Sequence, residues 1–163
     1  RNHTIMSLSK FESEVKLVNR GREVAYSRLS DLRNLEGLKT GLSDPAVRER
    51  LSSQVPADKL ESMAKYVEGM TFTEDSISIS SPVGDITLRL VEREEPKLLK
   101  FASEGGPLPL YLWVQLLPKG DEQSLMRVTV GAEVNFFMKG MVAKPLQQAA
   151  DGLASMLSQV GGF

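Results

Sequence analysis

Side chains suited to catalysis are scarce in this sequence. Its 163 residues include no cysteine and a single histidine, His3. Structural zinc sites are built mainly from Cys and His, so none is expected. A Ser- or Cys-based triad would rest on His3 alone. Glu92, Glu94 and Glu95 offer oxygen ligands to a hard cation, but their place beside Pro96 reads better as a solvated turn. Gly105-Gly106-Pro107 lacks the Lys-Ser/Thr of a phosphate-binding loop and opens no helix. No metal and no cofactor are expected.

Four polar residues stand in otherwise apolar stretches: Tyr66, Glu68, Tyr111 and Gln115. A glutamate carried into an apolar interior has a raised pKa and serves as an acid or base. Glu68 and Gln115 can equally face water. Arg127, Thr129 and Glu133 alternate with an apolar row and read as a solvent-facing ladder. Met126, Met138, Met141 and Met156 suit either an irregular pocket or an ordinary core, since methionine adapts to both. Phe136-Phe137 forms either a gate or a packed corner, the corner being preferred. Trp113 belongs either to a cavity or to an external patch that pairs two chains.

The elements that position these residues follow from periodicity. Residues 9–18 alternate, with Phe11, Ser13, Val15 and Leu17 on one side, which predicts a strand. Val24, Ala25, Leu29 and Leu32 make a helical stripe with Tyr26 beside it. Residues 43–63 read as interrupted surface helix, with Asp44 or Ser43 as cap and Pro45 in the first turn. A run of strands follows over 66–73, 76–81, 86–91, 98–103, 110–117 and 124–134. Their short turns require antiparallel pairing, because a parallel crossover needs about a dozen residues. Met126, Val128, Val130, Ala132 and Val134 share one face. Met138 to Val160 repeats at helical spacing, and Pro145 predicts a kink or a fresh start.

Composition bounds the partners. Hydrophobic residues make up 41% and charged residues 25%, as in an ordinary globular domain. Lys and Arg number 20 against 21 Asp and Glu, so no basic excess exists to neutralise phosphates, and nucleic acid is not an expected partner. No run approaches the ~20 apolar residues of a membrane span. Nor do residues 1–8 hold the ~7–15 apolar residues of a secretory leader. They are set aside as an extension or cloning remnant, Met6 being a natural start. Residues 9–163 are expected to form a single domain, and the lack of cysteine suits the cytoplasm.

The order strand, helical pieces, antiparallel strands, long helix is α+β. It resembles the helix-grip fold of the START and birch-pollen-allergen superfamily, which includes polyketide cyclases and lipid-transfer proteins. The local stretch that carries the resemblance is Glu23-Val24-Ala25-Tyr26-Ser27-Arg28-Leu29-Ser30-Asp31-Leu32-Arg33-Asn34-Leu35. It departs from the family pattern in having Asn19-Arg20-Gly21-Arg22 where a proline turn is common, and no Trp after Asn34. The resemblance implies a curved antiparallel sheet of about seven strands wrapped around the C-terminal helix. It also implies an apolar cavity between them. The residues expected to line it are Phe11, Tyr66, Met70, Phe101, Leu112, Val114, Met141 and Leu146. Non-catalytic binding of a small hydrophobic molecule, lipid-like or aromatic, is the leading expectation. The alternatives are a cyclase or dehydratase using Tyr66, Glu68 or Tyr111, and a protein-interaction module.

Overall fold

A computed structural model describes residues 6–53, 56–81, 84–106 and 108–162. Two strands open the chain, β1 (Ser7–Glu12) and β2 (Lys16–Val18). Four helices follow: α1 (Arg22–Leu29), α2 (Asn34–Leu42), α3 (Pro45–Leu51) and α4 (Ala57–Glu68). Then come β3 (Met70–Phe72), β4 (Ser76–Ser81), β5 (Gly84–Glu94), β6 (Leu98–Glu104), β7 (Leu110–Lys119), β8 (Gln123–Val134) and α5 (Phe136–Gly162). The strands form one eight-stranded sheet in the order β1-β8-β7-β6-β5-β4-β3, with β2 also on β8. Every pairing is antiparallel.

Period-two alternation builds the inner face. Leu112 pairs with Phe101 on one side and Val130 on the other, and Val114 pairs with Leu99 and Val128. All six are buried. Met126, Val128, Val130, Ala132 and Val134 are buried along β8, as their alternation predicts. The outer face carries Tyr111, Trp113, Lys10 and Lys100. The Trp113 ring lies across Gly131, where a Cβ would stand 2.7 Å from Cζ3.

The first strand is not continuous. Glu12 pairs with Thr129 and Lys16 with Met126, so three residues oppose two on β8. This is a bulge. Ser13 fastens it: its N–H donates to the Val128 carbonyl at 2.7 Å, and its hydroxyl accepts from the Val128 N–H at 2.9 Å. The extra residue reverses the alternation, so Val15 and Leu17 are exposed and Val18 is buried, contrary to the expected face.

The helical region is larger and more deeply buried than its polarity suggests. Leu42, Leu51, Leu60 and Val67 all enter the core. The Asp44 side chain accepts from the Ala46 N–H at 2.9 Å ahead of Pro45, the predicted cap. Residues 66–68 belong to α4 rather than to a strand, because Leu60, Ala64 and Val67 form a helical stripe against the core. Ala25, Leu29 and Leu32 of the stripe drawn from sequence are buried, but Val24 is exposed and Tyr26 is buried in its stead.

Pro145 starts no new helix; α5 runs through it. The two halves of α5 differ. Ala150, Leu153, Ala154, Met156 and Leu157 are buried, whereas Phe136, Phe137 and Met141 are 86%, 83% and 77% exposed. The expected packed corner at Phe136-Phe137 is therefore open: the buried row of β8 ends at Val134, and the helix begins beyond it.

Candidate functional site

The inner face of the sheet and the helices over it form one apolar cluster. Among the predicted site residues, Met70, Phe101, Leu112 and Val114 lie buried within it. Leu146 packs against the cluster from α5 and is partly buried. Phe11 is half-buried on β1. Met141 is not brought together with them; it faces outward from α5. Tyr66 lies on α4, and its side chain is outside the described residues.

A second group of partly buried apolar residues, Val47, Ala64, Ile79, Leu110 and Leu146, packs against the cluster. Ile79 pairs with Ile86, and Leu110 pairs with Ala132 near the end of β8 that leads into α5. Leu110 is held there by its N–H, which donates to the Ser103 hydroxyl at 2.9 Å. Of these, Leu146 is among the residues expected from sequence to line a cavity, and the aliphatic alternation around Leu110 could have signalled that residue as well.

The polar candidates lie elsewhere. Glu68 and Gln115 are exposed. Tyr111 is on the outer face, where its hydroxyl donates to Glu133 at 2.8 Å. That hydrogen bond, with some burial, raises its pKa. Lys100 stands 5.5 Å from the Tyr111 ring and 5.6 Å from that of Trp113; Lys10 stands 4.8 Å from Trp113. Trp113 thus belongs to an external patch, not to the interior. Thr129, expected to face solvent, is buried on this side of the sheet.

No described Asp or Glu is buried. Glu92, Glu94 and Glu95 are exposed, and no group of three potential metal ligands stands together among the described residues. Among the described residues, Tyr26 is the one titratable side chain that enters the core, at 3% exposure. Its hydroxyl has no hydrogen-bond partner among the described residues. Burial, followed by the nearby Glu95 carboxylate, raises its pKa, so it remains a neutral phenol at physiological pH.

An open cleft of about 960 Å³ lies between Asn19–Gly21 and the β7–β8 turn. Arg20, Lys119, Asp121 and Glu122 line it, which suits water better than an apolar molecule.

No family model and no curated protein matches the chain. Solved structures do match. Truncated norcoclaurine synthase from Thalictrum flavum aligns with a TM-score of 0.61 over 97% of this chain and 96% of that one, at 9% identity. Ara h 8.0201 aligns at 0.53 over 93% and 96%, with 10% identity. A START superfamily protein from Mycobacterium smegmatis aligns at 0.50 over 92% and 96%, with 11% identity. At these identities the likeness is one of fold. The chain has the helix-grip fold of START and birch-pollen-allergen-like proteins, as the resemblance in its sequence implies. No described helix is long and apolar enough to cross a membrane.

Proposed function

We propose that this domain binds a small hydrophobic molecule, lipid-like or aromatic, between the inner face of the sheet and α5, without catalysing a reaction on it. The observation that carries this reading is the continuous apolar wall from Leu99 and Phe101 through Leu112 and Val114 to Val128 and Val130, with every described carboxylate outside it. Removing apolar ligand surface from water against such a wall contributes about 25 cal/mol per Å² before ordering losses. Phe101, Leu112 and Val114 form the floor in this reading, with Leu110 and Leu146 at the rim and Phe11 and Met70 flanking. The fold supports the reading by analogy, although one fold hosts many activities and one of the similar structures is a synthase. Binding is favoured over chemistry because Glu68, Tyr111 and Gln115 face away from the wall. Cytoplasmic residence is part of the proposal and rests on the lack of cysteine.

The test is a polarity-sensitive naphthalene probe titrated into the protein. Leu146 is partly buried, so Leu146→Trp adds bulk at the rim without emptying the core. The expected result is a severalfold weaker probe affinity with the thermal midpoint little changed. Unchanged affinity in the folded variant would remove this location, and failure of the parent to bind any apolar probe would remove the function.

A further inference from the structure

A surface helix normally turns polar residues outward and apolar residues inward. The first three turns of α5 do not. Side chains three and four apart share a helix face, which sets Phe137, Met141 and Lys144 in one outward row, with Phe136 and Lys139 beside it. Phe136 and Phe137 are the most exposed large apolar residues described, and their rings meet edge to face at 6.0 Å. On the other side of these turns, Met138, Val142 and Leu146 are half-buried. Met6 adds exposed apolar surface at the end of β8 that leads into α5, since its neighbour Ser7 pairs with Val134.

The charges say what covers this surface. Residues 134–150 contain Lys139 and Lys144 and no acidic residue. Both lysines are exposed, and neither has an ion-pair partner among the described residues. A second copy meeting this face about a two-fold axis would set lysine against lysine across an isologous contact. An anionic lipid surface complements the lysines and takes the phenyl rings into its headgroup–acyl boundary, the arrangement of interfacial helices.

We propose that the N-terminal turns of α5 dock the domain onto anionic membranes through Phe136, Phe137 and Met141, with Lys139 and Lys144 on the lipid headgroups. This reading concerns the outer side of α5 and stands whether or not the interior binds a ligand.

The experiment is co-flotation of the full chain with phosphatidylcholine vesicles, with and without phosphatidylserine. Binding is expected only to the phosphatidylserine vesicles, and to weaken as salt rises. The double variant Lys139→Gln/Lys144→Gln should weaken it by about fivefold per lysine removed. Phe136→Ser/Phe137→Ser should reduce it at least as far. All four side chains are exposed, so both variants should keep the parent's thermal midpoint. The proposal is overturned by no binding to phosphatidylserine vesicles, or by binding that neither double variant weakens. It is also overturned if the parent forms a concentration-dependent dimer that Phe136→Ser/Phe137→Ser dissolves, for then a second copy covers the patch.

Discussion

Gly131 offers the sharpest test of the packing described. It lies on β8 opposite Lys10 of β1 and Tyr111 of β7. A Cβ at this position would meet Trp113 Cζ3 at 2.7 Å, Trp113 Cη2 at 3.1 Å and Leu8 Cδ1 at 3.2 Å. The ring is not free to swing aside without disturbing Lys10, 4.8 Å away, and Lys100, 5.6 Å away. Two effects then compete in Gly131→Ala. Overfilling costs about 1–3 kcal/mol. Replacing glycine within a strand returns roughly 0.5–1 kcal/mol. The clash wins, and a net loss on the order of 1 kcal/mol is expected. For a chain of this length that lowers the melting temperature by about 2–4 °C. Removing the ring reverses the sign: in a Trp113→Leu background, Gly131→Ala should stabilise by roughly 0.5–1 kcal/mol. Urea unfolding of the four chains, followed by far-ultraviolet circular dichroism, closes the cycle. Trp113 is the only tryptophan, so its emission in the parent background reports the displaced ring directly. Equal effects of Gly131→Ala in both backgrounds would refute the reasoning.

Two further outcomes follow from the side chains described. Tyr26→Phe removes a buried hydroxyl that has no partner among the described residues, so stability from urea unfolding should hold or rise by up to about 1 kcal/mol; a clear loss would show that the hydroxyl is bonded. Asp31 accepts hydrogen bonds from Arg33, including one of 2.6 Å from Nη2, and these hold its pKa at about 2 instead of 3.8. Because the folded value is depressed, the pair's contribution is complete above 3.8 and is lost as pH falls through about 2. A carboxyl NMR titration of the parent should give the low midpoint and Arg33→Gln a higher one, still lowered by the residue-33 N–H that Asp31 accepts from; an ordinary midpoint in the parent would contradict the pairing.

What the sequence made legible was local. Unbroken alternation along residues 110–116 and 126–134 identifies two strands and their inward faces, because one period runs without interruption. The strand expected from residue 66 begins only at Met70 because Leu60, Ala64 and Val67 share a helical stripe that carries α4 to Glu68, with Gly69 as its C-cap. The inward side of Leu17 depends on how many residues of β8 lie opposite 13–15, and no local pattern encodes that count. Met141 failed for a related reason: the start of α5 is apolar on both sides, so periodicity cannot say which side is covered. The outer cluster of Lys10, Lys100, Trp113 and Gly131 joins four separate stretches of chain and is visible only once they are paired.

The bulge at Ser13 also determines where this chain tolerates a change in length. Across β1 and β2 the partner numbers sum to one value before the bulge and to one more after it. Deleting a single residue between 13 and 15 would make the two sums equal and leave every pair with β8 intact. The same deletion inside 7–12 or 16–18 would turn the residues beyond it to the opposite face. Among related chains, gains and losses of one residue in this edge are therefore expected to gather at 13–15.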